Sequence, residues 1–276
     1  MTTLLNGKKI AQEIRNEIKK EIMKTKKKPH LAVVLVGKNP ASQVYVHHKE
    51  QACEEVGIKF SLHRLPEKIS QKKLLSSVES LGKDKKIDAI LIQLPLPKKI
   101  KEEEIINTIP PEKDVDGFHP INIGKLAKGL ECFSPATPSG IIRLLEEYKI
   151  EISGKNVVIV GRSNIVGKPL ALMFLQKNAT VTVCHSKTIS LENFTKKADI
   201  LVSAVGKPNI IKADMIKKGV VLIDVGINRL SSGKLVGDVD FAGCQKKASA
   251  ITPVPGGVGP MTIAMLLENC LKTKKK

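Results

Sequence analysis

The sequence predicts an α/β protein built on parallel sheet. Short apolar runs such as "HLAVVLVG" and "VVIV" alternate with longer segments whose apolar residues recur every three or four positions. The alternation continues along most of the chain, which is the signature of βαβ units. The 276 residues, 42% of them hydrophobic, are enough for a sizeable core and for about two domains.

The elements follow in order. Residues 5–23 are expected to be an amphipathic helix, because Ile10, Ile14, Ile18 and Ile22 recur every fourth residue. "HLAVVLVG" is a short apolar strand ending at Gly37. "PASQVYVHHKEQACEEVG" is a helix, with Gly57 as its C-terminal stop. "IKFSLHRL" alternates as a strand does, "SQKKLLSSVESLG" is a helix, and "IDAILIQLPLP" is a strand broken by Pro95 and Pro97. "CFSPATPSGIIRLLEEYKI" places two prolines and a glycine before a helix and reads as a boundary region.

A second set then begins: strand 156–160, helix 167–177, strand 179–184, helix near 191–197, strand 199–204, helix 212–217 and strand 219–224. This half reads as a compact Rossmann-like module. "ITPVPGGVGP" is a Pro/Gly-rich connector, and "MTIAMLLENCLK" is a closing helix with Pro260 at its first turn.

Composition narrows the function classes. No apolar run reaches the ~18 residues of a membrane span and no signal-peptide core is recognisable, so a soluble, cytoplasmic protein is expected. Five scattered cysteines without a C-x-x-C pair fit reduced thiols. No His/Cys cluster has metal-ligand spacing, so no metal is expected. The formal charge of +19 raises nucleic acid as a partner, but aromatics are only 3% and Trp is absent, so base stacking has little support. The densest basic runs, Lys24–Lys28 and Lys272–Lys276, read as solvated lysines.

In "VVIVGRSNIVGKPLA", Gly161 ends a strand and Gly167 opens a helix. Such a turn is either an ordinary βα connection or a phosphate-binding loop, in which helix N-terminal amides face a pyrophosphate. Ser163 stands where the usual fingerprint has its middle glycine, and its hydroxyl can donate. An NAD site places a carboxylate about 20 residues on, at the end of the second strand. Here "TVTVCHSKT" offers Ser186 and Lys187 instead, and Arg162 lies in the turn. These groups suit a 2′-phosphate, so NADP is preferred over NAD.

The first half carries a different pattern. Ser42, Tyr45, Lys49, Cys53 and Val56 fall within an arc of roughly 80° on one helix face. Lys49 is then either a snorkelling surface lysine or a half-buried amine of lowered pKa, which a general base requires. Gln93 ends the strand "AILIQ", at the carboxyl edge where α/β sheets bind ligands. Asp116 in "DVDGFHP" is either part of a turn or a carboxylate that accepts from a polar heterocycle.

Together "SQVYVHHK", "ILIQLPLP", "KDVDGFHPINIGKL", "VVIVGRSNIVGKP", "CHSKT", "IDVGINR", "GDVDF" and "TPVPGGVGPMT" resemble, in order and across nearly the whole chain, the bifunctional methylene-tetrahydrofolate dehydrogenase/cyclohydrolase family. The resemblance implies two α/β domains around a cleft: a folate-binding catalytic domain from residues 1–139 plus 256–276, and an NADP-binding domain from 140–255. It implies NADP-dependent oxidation of 5,10-methylene-tetrahydrofolate to the methenyl compound, then hydrolysis to 10-formyl-tetrahydrofolate. By the same resemblance Lys49 is the shared catalytic lysine, Tyr45 stacks on the folate, Gln93 bonds Lys49 and Asp116 accepts from the pterin. Arg162, Ser163 and Ser186 hold NADP, Ile227 lies against the nicotinamide, and Pro255, Gly256 and Gly257 border the folate site. A homodimer is implied as well.

Two departures stand out: Ala136 where the family often has cysteine, and His47 with His48, which read as helix-surface residues. Two rivals remain: a shikimate- or amino-acid-type two-domain dehydrogenase, and a basic nucleic-acid-binding protein with a Rossmann module.

Overall fold

The computed structural model describes residues 1–274, so the last two lysines of the run Lys272–Lys276 lie outside the described residues. The chain divides into two compact units. One comprises Met1–Gln12 with Thr137–Thr262; the other comprises Glu13–Ala136 with the segment from Ile263 onward.

In the second of these, three parallel strands form a sheet. His30–Val36 is central, with Lys59–Leu65 on one side and Ala89–Ile92 on the other. The central strand is buried along nearly all its length, as a parallel strand covered on both faces must be. Its core joins Ala32, Val34 and Ile90 to Leu74 and Val78 of the helix Gln71–Lys83.

The helix Pro40–Val56 follows the central strand. Its start is well specified: the Asn39 side chain accepts from the Ser42 amide at 3.0 Å, and Pro40 loses nothing by lacking an N–H at the first position. It ends where expected, with the Gly57 N–H on the Cys53 carbonyl at 2.9 Å.

The other unit holds a six-stranded, wholly parallel sheet. Its order is Thr3–Leu4, Ala250–Ile251, Val221–Asp224, Ile200–Ser203, Asn156–Val160, Thr180–Cys184. Val160 is in register with both Cys184 and Ser203, and Ser203 with Asp224. The loops leaving these four strands therefore emerge along one carboxyl edge.

Several expectations need correction. The helix expected at 212–217 is a single 3₁₀ turn, Ala213–Met215. The strand expected in "IDAILIQLPLP" is only Ala89–Ile92, because the two prolines that follow supply no N–H to a ladder. Pro138 and Gly140 do not precede the boundary helix but lie inside it, since it begins at Ala136; Pro138 falls in the first turn, where no N–H is required. Short helices at Glu102–Asn107, Pro120–Ala127 and Phe241–Gln245, and a small antiparallel pair formed by Asn228–Arg229 and Leu235–Val236, were not foreseen.

Candidate functional site

The residues singled out from the sequence fall into two groups, one in each unit. Lys49, Gln93, Asp116 and Tyr45 form the first. Lys49 leaves the middle of the helix Pro40–Val56 and is only 9% exposed. Its Nζ donates to Gln93 Oε1 at 3.0 Å. Gln93 follows the strand Ala89–Ile92 and is held at both ends: its main-chain N–H reaches Val34 O at 2.9 Å, and its side-chain NH₂ reaches Leu94 O at 2.7 Å. With the NH₂ end occupied, the carbonyl end is turned to the lysine.

Burial lowers the Lys49 pKa, because an ammonium out of water is poorly stabilised; Asp116, Cys53 and Cys270 act in the opposite direction. Asp116 is pushed up to about 6, chiefly by burial and against the attraction of Lys49. The lysine is therefore not the snorkelling surface residue that spacing alone allowed. Cys53, one turn further along the same helix, is pushed up to about 12 by burial and stays a thiol, so it is no rival nucleophile. Tyr45, one turn before Lys49, is half-buried, and burial raises its phenol pKa. His47 and His48 are exposed.

The D-G pair is indeed a turn, and the turn itself brings Asp116 within the field of Lys49. Asp114 anchors it. This carboxylate, 1% exposed, accepts from the His119 amide at 2.8 Å and from Asn122 Nδ2 at 2.9 Å. Sequence reasoning missed Asp114. The alternating acids of "DVD" were its only signal.

The second group lines the carboxyl edge of the six-stranded sheet. Gly161 ends its strand, and a Cβ there would sit 2.5 Å from Ala204 O; a Cβ on Gly167 would overlap Gly161 O. No other residue type fits this turn, so it is tighter than an ordinary βα connection requires. Ser163 Oγ accepts from the amides of Val166 at 3.1 Å and Gly167 at 3.4 Å, which leaves its own proton free to donate. Arg162, Ser163, Ser186 and Lys187 are exposed. The loop carrying Ser186 is closed by the His185 amide on Thr188 Oγ1 at 2.9 Å, so its polar groups stand at the edge beside the glycine turn.

Ile227 is 44% exposed in the loop after Asp224. Pro255, Gly256 and Gly257 precede the helix Val258–Lys272, and the Gly256 carbonyl accepts from the Lys8 amide at 2.9 Å. A close backbone turn at a strand end, with a hydroxyl, exposed cations and a helix N-terminus, fits a dinucleotide phosphate.

Among the described residues, no group of three or more His, Cys, Asp or Glu side chains comes together to hold a metal ion, and no helix is long and apolar enough to cross a membrane.

Known proteins match the whole chain. Residues 5–116 match the tetrahydrofolate dehydrogenase/cyclohydrolase catalytic domain, and residues 135–276 match the NAD(P)-binding domain of the same family. The bifunctional protein FolD of Moorella thermoacetica is 56% identical over 99% of both chains. The crystal structure of the Campylobacter jejuni bifunctional methylenetetrahydrofolate dehydrogenase/cyclohydrolase superposes with a TM-score of 0.98 at 52% identity, covering 100% of this chain and 99% of that one. The Trypanosoma brucei methylenetetrahydrofolate dehydrogenase-cyclohydrolase, solved with NADP and an inhibitor, gives 0.95 at 36% identity over 99% and 97% of the chains. Matches of this extent displace the shikimate-type alternative: the chain belongs to the tetrahydrofolate dehydrogenase/cyclohydrolase family.

Proposed function

We propose that this protein oxidises 5,10-methylene-tetrahydrofolate to 5,10-methenyl-tetrahydrofolate with NADP and hydrolyses the product to 10-formyl-tetrahydrofolate. The observation that carries the reading, within the family, is the buried Lys49 amine hydrogen-bonded to Gln93 at 3.0 Å. When bound, NADP supplies the hydride acceptor. Loss of a hydride with its electron pair leaves the methylene carbon a cation. Water then adds to that carbon, and the neutral Lys49 amine accepts the water's proton. The bond from this carbon to N5 breaks, N5 is protonated, and overall one proton leaves to solvent. Gln93 aims the amine, Tyr45 stacks on the folate and Asp116 accepts from the pterin.

The preference for NADP over NAD rests on Arg162, Ser186 and Lys187 at the edge where an NAD enzyme places a carboxylate. Ser163 donates to the pyrophosphate and Ile227 packs on the nicotinamide, while Pro255, Gly256 and Gly257 border the folate. Residues 1–139 with 256–276 make up the folate-binding portion, and residues 140–255 the nucleotide-binding portion. The five free cysteines of the described residues suit the reducing cytoplasm. A homodimer is the working assembly, and sedimentation at micromolar concentration tests it. The excess of lysine suits the polyanionic glutamate tail of folates; salt-dependent binding to random duplex DNA at physiological ionic strength would instead favour a nucleic-acid role.

The test is to mix the purified protein with methylene-tetrahydrofolate and either nucleotide, following absorbance of the reduced nicotinamide and of the methenyl product. Rapid reduction of NADP, slow reduction of NAD, and decay of added methenyl compound are expected. No reduction of either nucleotide would overturn the reading.

A further inference from the structure

Two buried aspartates in the nucleotide-binding unit have no part in the chemistry above. Asp238 is 0% exposed and Asp224 is 4% exposed. Asp238 accepts five hydrogen bonds. Oδ2 receives Ser203 Oγ at 3.2 Å and the amides of Val205 at 2.8 Å and Gly206 at 3.2 Å; Oδ1 receives the Lys207 amide at 2.9 Å and Asn228 Nδ2 at 3.0 Å. Asp224 accepts three. Its Oδ1 takes the amides of Gly226 at 2.9 Å and Asp238 at 2.8 Å, and its Oδ2 takes Val239 at 2.9 Å.

The two carboxylates form a relay: Asp224 holds the backbone of Asp238, and the Asp238 side chain holds two loops. Those loops, 204–207 and 225–228, leave the carboxyl ends of the strands Ile200–Ser203 and Val221–Asp224. That is the edge at which parallel α/β sheets bind their ligands. The packing admits nothing larger. A Cβ on Gly226 would overlap the Asp238 carboxylate, and one on Gly237 would overlap that of Asp224. Buried carboxylates are costly unless fully bonded, and a core could be filled more simply with apolar side chains. Here the acceptors are spent on loop amides, and one of the two loops carries Ile227 with 44% of its surface exposed.

We propose that Asp238, with Asp224 behind it, is a positioning residue for the nicotinamide end of the nucleotide, fixing the Ile227 loop and the 204–207 loop before the nucleotide arrives. The proposal rests on the dehydrogenase reading for the identity of the ligand, but not for the loop order itself. In Asp238→Asn, either orientation of the amide turns an NH₂ toward at least two donors, so both loops must loosen. Amide hydrogen exchange at Val205, Gly206 and Lys207 in the nucleotide-free protein should then accelerate by about 10-fold or more, the scale of a lost charge-assisted hydrogen bond. The dehydrogenase rate should fall by a similar factor, while hydrolysis of preformed methenyl-tetrahydrofolate, assayed without nucleotide, stays within about two-fold of wild type.

Asn228→Ala, which removes one of the five donors to Asp238, is the variant to use if Asp238→Asn does not fold; it should show the same split, smaller in size. Unchanged exchange at residues 205–207, or equal loss of both activities, would overturn the proposal. A wild-type protein that reduces no nucleotide would instead overturn the dehydrogenase reading, and the exchange measurement would still decide the loop claim.

Discussion

The Lys49 site and the glycine turn solve opposite problems. Around Lys49 the working groups are side chains withdrawn from water and held by other side chains and carbonyls: the lysine on Gln93, Gln93 on Leu94 O, and the Asp116 turn on Asp114. Around Gly161 the working groups are backbone, and the cations stand in solvent. Withdrawal from water alters reactivity, as the lowered Lys49 and the raised Asp116 pKa values attest. An exposed edge provides shape from its backbone and a solvent-screened attraction from its charges. Proton transfer needs the first arrangement, and holding a phosphate needs the second.

That contrast can be broken at four places. The largest effect is expected from Lys49→Ala, which should cut hydrolysis of methenyl-tetrahydrofolate by about 10²- to 10⁴-fold, the range for loss of a general base, while NADP affinity by calorimetry stays put. Near-normal hydrolysis would remove the assigned role. Gly161→Ala should come next. Its Cβ has no room beside Ala204 O, so nucleotide affinity should drop by about 100-fold, and hydrolysis assayed without nucleotide should survive. Parallel loss of both would mean that the turn supports the fold rather than the ligand.

Arg162→Ala should weaken NADP by about 10-fold and NAD hardly at all, since an exposed guanidinium offers one screened, charge-assisted contact. Equal losses for the two nucleotides would discard the 2′-phosphate argument. The smallest effect is a displacement rather than a loss. Hydrolysis requires the neutral amine, so the rate should fall as pH drops through the lowered Lys49 pKa. Gln93→Ala lets water reach the amine and relieves the desolvation that dominates the shift. The Lys49 pKa should rise, and the acid limb of the profile should move to higher pH, most visibly as a several-fold slower rate along that limb. An unmoved limb would mean that Gln93 does not shield Lys49.

How much of this was legible in the sequence follows the same division. A backbone cradle announces itself locally: Gly161 and Gly167, six residues apart after an apolar strand, carry most of the information that the turn needs. The helix Pro40–Val56 was likewise legible at both ends, through Pro40 and Gly57, and its stripe showed that Lys49 shares a face with apolar residues. What the stripe could not show is the partner. Gln93 lies 44 residues away, and its hydrogen bond to Lys49 depends on which strand follows which helix into the three-stranded sheet.

Asp114 and Asp238 were harder to read for a stronger reason. Their donors include main-chain amides, which carry no residue-type signal, and the side chains that join them, Asn122 on Asp114 and Ser203 and Asn228 on Asp238, are ordinary polar residues. The helices Glu102–Asn107 and Pro120–Ala127 span two turns or so, too few for a period of 3.6 to register, and "PINIGKLA" carries the proline and glycine that usually mark a loop. Thr3–Leu4 is a strand only because Ala250–Ile251 pairs with it from the far end of the chain.

The chemistry rests on burial lowering the pKa of the Lys49 amine, a claim tested most directly by the titration of that amine itself. With ¹⁵N-labelled lysine and Lys49→Arg to assign the resonance, the Nζ signal followed against pH should titrate below the ordinary lysine value of 10.5. A midpoint at or above that value would contradict the claim, because the amine would then be a cation throughout the working range and could not take a proton from water.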